Sequence, residues 1–324
     1  MIPKGKSSPK LKVTILAGGI SHERDISLKS GRRVADALTD IGATVVIREP
    51  DSNLLANIKK DKPDVIWPCL HGASGEDGAL RDILDLSGVP YVGATGAAAR
   101  LAWDKSVAKV MVAREAIQTP ASVTLPKETF RELDAEAVLS AVTSSIALPV
   151  VVKPAKSGSA QGVTIVRDQA DLSRAMIDAY VYCDVAIIEK YVEGTELAIS
   201  IVDLGAGPIA LPAVEIEPLK GNFGYDERYI AGETNYYVPA RLDAVVSERA
   251  AQMAIKAHEV LGLRHLSRID MIVDESGTPW FLEANVQPGL TDTSLMPQAI
   301  LALGNSLGET YYSLVEAAMR SKGL

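Results

Sequence analysis

The chain of 324 residues is poor in cysteine, histidine and aromatic side chains: two Cys, four His and 5% Phe, Trp and Tyr. Cys69 and Cys183 provide no disulfide framework and no metal-ligand spacing. Each lies in an apolar run, VIWPCL and VYCDVAII, and reads as a buried thiol. No run of about 18 apolar residues occurs, so no membrane span is expected. The basic start MIPKGKSSPKLK is followed by no apolar stretch of signal-peptide length. A reducing cytoplasm is the expected compartment. Positive charge is not in excess either: 33 Lys and Arg against 41 Asp and Glu give a net charge of −8. Nucleic acid and acidic membrane surfaces are therefore not expected as partners. An acidic protein that binds a polyphosphate must concentrate its cations locally, which gives weight to single lysines and arginines in Gly-rich loops. Internal repeats and low-complexity tracts are absent.

What is present is 47% hydrophobic residues, enough for packed cores in two or three domains. From Lys12 to about Ala102, strand and helix signals alternate. Val13 to Ala17, Val45 to Arg48 and Asp64 to Leu70 read as strands. Ile26 to Leu38 and Gly78 to Leu86 read as helices ending at Gly42 and Gly88, with Tyr91-Val92 following. This rhythm predicts a mainly parallel sheet with helices on both faces. A helix-rich stretch spans Ala97 to Ala116. Strands at Leu148 to Lys153, Val163 to Arg167, Val185 to Tyr191 and Glu196 to Asp203, with one helix at Leu172 to Ala179, then predict a small antiparallel α+β unit. Beyond Ala210 come more strands, the polar loop KGNFGYDERYIAGETNYY, a helix from Ser247 to Leu261, a hairpin, and a last helix near Thr310 to Met319.

The hairpin, RIDMIVDESGTPWFLEANVQPGLTDTS from Arg268 to Ser294, carries the most chemistry. Symmetry about Ser276-Gly277 sets Asp270 opposite Glu283 and Arg268 opposite Asn285. Alternation sends all four side chains to one face. Ile269, Met271 and Val273 then face Ala284, Leu282 and Trp280 on the other. Two carboxylates opposed across a ladder repel. A hard cation with oxygen ligands offsets this, and Mg²⁺ held by few carboxylates usually also binds phosphates. The competing reading is an exposed hairpin with a solvated acidic face.

Other signals are weaker alone. Lys153 ends an apolar strand before PAKSGSAQG, a loop whose small residues admit an anion to the backbone. It lacks the GK[ST] order of a Walker loop, and a plain hairpin loop is an equal reading. In IIEKYVEGTE, Glu189, Lys190, Tyr191, Val192 and Glu196 could form a base slot and a ribose acceptor, or an ordinary charged hairpin. Lys105 in WDKSVAK reads by itself as a solvated helical lysine, and Arg228 and Tyr229 as polar-loop residues. Glu23 follows a Gly-rich turn that is not G-x-G-x-x-G. It reads as a helix cap or as a partner for an ammonium group. His71 reads as a satisfied loop histidine or the polar lining of a pocket.

Taken in order, AGGISHERDISLKSG, LHGASGEDGALRDILDLSGVPYVGA, the WDK helix, KPAKSGSAQGV, EKYVEGTEL, GYDERYIAGET, RIDMIV and LEANVQPGLTDTSL resemble the D-alanine–D-alanine ligases of the ATP-grasp fold. The resemblance runs from about Lys12 to the C-terminus. It implies an N-terminal Rossmann-like parallel-sheet domain at 1–103 and two ATP-clamping antiparallel α+β domains at 104–193 and 194–324. It implies ATP with two Mg²⁺ or Mn²⁺ ions, D-alanine as substrate, a homodimer, and a role in peptidoglycan precursor synthesis. One D-alanine would be phosphorylated to an acylphosphate, which the amine of a second would attack.

By this resemblance Asp270, Glu283 and Asn285 hold the metal, and Lys105 and Lys153 hold phosphate oxygens. The Ser157-Gly158-Ser159 flap closes over them, with Arg228 also on the nucleotide. Glu189, Lys190, Val192 and Glu196 flank base and ribose. Glu23 and His71 line the first D-alanine site, and Ser294 takes the second carboxylate. Arg268 and the Gly289 N–H stabilise an oxyanion, and Tyr229 joins Ser159 and Glu23. The chain departs from the family in three places. SGSAQG stands where EGSSVG is usual, Arg228 where lysine is usual, and NVQPGLT where NTSPGMT or NTLPGFT is common. The loop ERYIAGETNYY has no histidine, which favours an amine over D-lactate as second nucleophile. D-serine and cyclising ligases are the alternatives.

Overall fold

The computed structural model describes residues 11–219 and 233–321, and its frame is three β-sheets. The first is built from β1 (Lys12–Leu16), α1 (Arg24–Asp40), β2 (Thr44–Arg48), α2 (Leu54–Asp61), β3 (Val65–Pro68), α3 (Ala73–Glu76) and α4 (Ala79–Ser87). It is parallel in the order β2-β1-β3, with Val13 beside both Val45 and Val65. The central strand is apolar and buried, as a parallel sheet covered on both faces requires. On α1, Ser27, Ser30, Gly31, Val34, Ala35 and Leu38 are buried, the three-and-four spacing of one helix face. Gly31 sets how closely that helix approaches the sheet: a Cβ there would lie 2.5 Å from the Ala17 Cβ.

The second sheet follows α5 (Gly96–Trp103) and α6 (Lys105–Arg114). It comprises β4 (Ser122–Pro126), β5 (Val150–Pro154), β6 (Thr164–Val166) and β7 (Val185–Lys190), antiparallel in the order β4-β7-β5-β6. Helices α8 (Ala135–Ser145) and α9 (Leu172–Tyr180) cover one face, after the short α7 (Lys127–Glu132). Leu139, Val142, Leu172 and Met176 pack there on Val150, Val152, Ala186 and Ile188. Alternation therefore turns Val151, Lys153, Ile187 and Glu189 to the other face.

The third sheet has β8 (Thr195–Asp203), β9 (Pro208–Ala210), β10 (Val214–Pro218), β11 (Thr234–Tyr237), β12 (Leu266–Val273) and β13 (Pro279–Asn285). Its order is β11-β10-β8-β12-β13, with β9 paired to β8. The helix Ala244–Val260 and α6 share one core with it, where Ala108, Val112, Ala254 and Ala257 meet Ile199, Ile269, Met271 and Phe281. Helices Leu295–Ala302 and Leu307–Arg320 return the chain to the first sheet, where the Trp67 and Tyr311 rings meet edge to face at 5.3 Å. Among the described residues no helix is long and apolar enough to cross a membrane.

Several sequence expectations need correction. The helical stretch from Ala97 to Ala116 is two helices, because the Asp104 side chain accepts from Ser106 N and Val107 N and starts α6 afresh. Thr234 to Tyr237, read with the polar loop, forms β11 against β10. The third strand ends at Pro68 rather than Leu70. Cys69 is buried, but Cys183 is only half-buried, since it follows the last turn of α9. Strand β4 and helices α2, α7, α8 and Leu295–Ala302 were not anticipated.

Helix propensity alone favours alanine over glycine within a helix by about 1 kcal/mol. Overpacking against a rigid Cβ costs about 1–3 kcal/mol. With the propensity gain set against the overpacking cost, Gly31→Ala is predicted to lower the unfolding free energy by up to about 2 kcal/mol. Urea unfolding checks this; a stabilised variant would mean that α1 can move off the sheet.

Candidate active site

The hairpin reaches its expected pairing by an unexpected route. Asp270 lies opposite Glu283 and Arg268 opposite Asn285. The turn, however, is centred on Ser276, because the Asp274 carboxylate accepts from Ser276 N, Thr278 N and Trp280 Nε1 and sets Val273 beside Pro279. That register is one residue short. A bulge restores it: Met271 pairs with Phe281, and the register shifts before Asp270. The extra residue is Leu282. Phe281, not Leu282, therefore fills the core beneath Met271. Leu282 turns to a cleft instead.

Two adjoining cavities open on the acidic face. The first, about 620 Å³, is lined by Glu23, His71, Glu76, Arg268, Asn285, Gly289 and Ser294. The second, about 410 Å³, is lined by Lys153, Glu189, Lys190, Val192, Glu196 and Asp270, with apolar Val151, Val163, Ile165, Ile272 and Leu282. Lys105, Ser157 and Glu283 line both. Two chambers with a charged, shared wall can bring a polar group in one to a reacting atom in the other.

Each acid of the hairpin holds a cation. Arg268 donates to both Asp270 oxygens, Nε to Oδ1 at 2.7 Å and Nη2 to Oδ2 at 2.7 Å. Lys105 Nζ lies 3.2 Å from Glu283 Oε2 and donates to the Ser157 carbonyl at 2.6 Å. Among the described residues no three His, Cys, Asp or Glu side chains cluster as a ready-made metal site. The donors here are two carboxylates and the Asn285 amide, whose Oδ1 accepts from Gln287 N at 2.8 Å. All are oxygens that line one cavity or both, and they fit a hard divalent ion that would displace the side-chain cations.

Sequence reasoning missed Lys109. Its ammonium and that of Lys153 both bind Glu189, each at 2.5 Å. The signal was present: Lys109 sits one helical turn beyond Lys105. Each oxygen of the Glu189 carboxylate is therefore engaged by a lysine. Lys190 Nζ donates to the Ala147 carbonyl at 2.9 Å, anchoring the segment ahead of β5.

On the opposite wall, Glu23 begins α1 but makes no capping hydrogen bond, so the capping reading fails. Its Oε1 accepts from the Ser159 hydroxyl. The flap is thus folded onto the first sheet's unit, and a Cβ at Gly158 would come within 3.1 Å of Glu23 Oε2. Ser159 and Ala160 adopt left-handed backbone at φ 51° and 55°, a costly conformation for residues with a Cβ. His71 is buried, which lowers its pKa despite the nearby Glu23 charge, and its Nε2 lies 3.3 Å from Ser30 Oγ. Ser294 Oγ accepts from Thr291 N at 3.0 Å, and a Cβ on Gly289 would lie 2.7 Å from that oxygen. Arg228 and Tyr229 lie outside the described residues.

Residues 111–317 match the family model for the D-ala D-ala ligase C-terminus, and residues 45–94 match the model for its N-terminus. The chain belongs to the D-alanine–D-alanine ligase family. It is 36% identical to the D-alanine–D-alanine ligase of Bordetella petrii over 95% of this chain and 92% of that protein. It is 34% identical to that of Pelotomaculum thermopropionicum over 97% and 98%. The VanG D-Ala:D-Ser ligase of Enterococcus faecalis superposes with a TM-score of 0.82 at 26% identity, over 96% of this chain and all of that one. The ATP complex of the Bacillus anthracis D-alanine–D-alanine ligase gives a TM-score of 0.79 at 26% identity, over 96% and 98%. The fold is the ATP-grasp arrangement of this ligase family, with one parallel and two antiparallel sheets.

In this ligase site Glu76 is also buried, and it too was missed by sequence reasoning. Burial first, and the Glu23 charge second, push its carboxyl from the ordinary 4.5 up to about 8. An acid so shifted is protonated in the fold while ionised in the unfolded chain between those values. Its contribution to stability is fully present below the unfolded value and is lost as pH rises through the folded one. Glu76→Gln should therefore gain stability relative to the wild type between roughly pH 5 and 8. Urea unfolding across that range checks it; a constant difference would mean that Glu76 is ionised in the fold.

Proposed function

We propose that this chain joins two D-alanines into D-alanyl-D-alanine at the expense of ATP, forming ADP and phosphate for peptidoglycan precursor synthesis. The observation that carries the reading is the wall shared by the two cavities. Lys105, Ser157 and Glu283 face a cleft with an apolar slot on one side and a polar chamber on the other. Val151, Ile165, Ile272 and Leu282 offer the base an apolar slot, with Lys190, Val192 and Glu196 at its rim. Lys105 and Lys153 hold phosphate oxygens. Asp270, Glu283 and Asn285 would hold divalent ions, two in our reading, which would supply neutralisation of phosphate charge.

Glu23 takes the ammonium of the first D-alanine, with His71 beside it. The carboxylate of that D-alanine attacks the γ-phosphoryl group, ADP leaves, and an acylphosphate results. The flap, seated on Glu23 through Ser159, excludes water from that hydrolysable species. The amine of the second D-alanine, its carboxylate held by Ser294, attacks the acyl carbon. Arg268 and the Gly289 N–H stabilise the tetrahedral oxyanion until phosphate leaves. Arg228 and Tyr229 complete the nucleotide and flap contacts in this reading. We read the chain as three domains, 1–103, 104–193 and 194–324, in a cytoplasmic homodimer.

ATP with D-alanine alone should yield ADP and a product of dipeptide mass; D-serine and D-lactate run in parallel report the second-substrate choice. No dipeptide from D-alanine alone would overturn the reading. Asp270→Asn combined with Glu283→Gln should lower turnover by about a hundredfold or more while the circular dichroism spectrum is kept. Retained turnover would remove the metal assignment.

A further inference from the structure

Helix α6 carries two buried lysines one turn apart, and only Lys105 faces the cavities. Lys109 lines neither, yet it is 3% exposed and its Nζ lies 2.5 Å from Glu189 Oε2. The other oxygen of that carboxylate lies 2.5 Å from Lys153 Nζ. Glu189 and Lys153 do line the nucleotide-side cavity. One buried carboxylate is thus held by an ammonium in front, at the cleft, and by another behind it.

The charge balance of this triad decides what a ligand meets. Lys153 with Glu189 alone would be a neutral pair, presenting a phosphate with a dipole whose nearer end is offset by the acid behind it. Two lysines on one carboxylate leave one net positive charge. In a site shielded from water that charge interacts with a phosphate much more strongly than it would in bulk solvent. Burial opposes the charge on Glu189, but the two ammonium groups outweigh it and hold the carboxyl below its ordinary value. The position of Lys109 is fixed from behind, since its neighbours Ala108 and Val112 are packed into the third sheet's core.

We propose that Lys109 is a positioning residue for the nucleotide: it neutralises Glu189 from behind, so that Lys153 presents an uncompensated positive charge to a polyphosphate. This deepens the ligase reading and rests on it. Lys109 touches no ligand itself. Its effect should therefore follow the phosphate charge of the ligand and leave the nucleoside part alone.

The test is calorimetric titration of Mg²⁺-ADP and, separately, of adenosine into the full chain. Counting the triad alone, the wild type carries +1, Lys109→Met 0, and Lys109→Met with Glu189→Gln +1 again. Lys109→Met should weaken ADP about tenfold or more and change adenosine by less than about twofold. The double variant should regain most of the ADP affinity. Equal losses for ADP and adenosine, or a double variant no better than the single one, would overturn the proposal. Should Lys109→Met fail to fold, the double variant and Lys109→Arg, which keeps the charge, carry the test. Both should bind ADP within about threefold of wild type, and a tenfold loss in both overturns it. D-alanine-dependent ADP release by the wild type tests the ligase reading separately. Turnover in the wild type without this charge dependence would refute the role of Lys109 alone.

Discussion

Two carboxylates, Asp270 and Glu283, face each other across β12 and β13, and the site is arranged around that unfavourable contact. Opposed like charges destabilise a sheet, more so when water is partly excluded. The fold answers with a guanidinium gripping one acid from within its own strand and an ammonium reaching the other from α6. The same ammonium binds the Ser157 carbonyl. One lysine thus ties the hairpin, a helix of the neighbouring core and the flap together. A divalent ion entering between the acids would disturb all three at once and would so couple nucleotide capture to the state of the flap.

Such clusters do not make the protein stable. Desolvating charged groups costs about as much as their pairing returns, and an apolar replacement often does as well. Stability lies in the apolar layers on the reverse of each strand: Ile269, Met271 and Phe281 behind the acids, Val150, Val152 and Ile188 behind the lysine and glutamate of the second sheet. Strand alternation supplies both from one segment. A charged front suited to phosphate is held rigid by a packed back, and the bulge at Leu282 lets the hairpin satisfy both demands despite its short turn.

Much of this was legible in the sequence because strand period and turn residues are local. The pairing of Asp270 with Glu283 followed from counting outward from a turn. The error in the core residue followed from the same count, since nothing local announces a bulge. The neighbours of Glu23 favour a cap over a ligand partner; the Ser159 hydroxyl that claims its carboxylate lies 136 residues away. Nothing local marks Lys109 and Glu76 as buried charges. The partner of Lys109, Glu189, lies 80 residues away. Strand β4 and helix α8 were overlooked because short apolar runs flanked by polar residues carry little periodic signal.

The central question for the site is whether the opposed acids share an ion with the nucleotide. Crystals grown with Mn²⁺ and ADP, measured for the anomalous scattering of manganese, address this directly. The predicted result is an anomalous peak in contact with Asp270, Glu283 and the ADP phosphates, with Arg268 released from its bidentate hold on Asp270. Nucleotide bound in the cleft with the Arg268–Asp270 pair intact and no peak beside it would contradict the account.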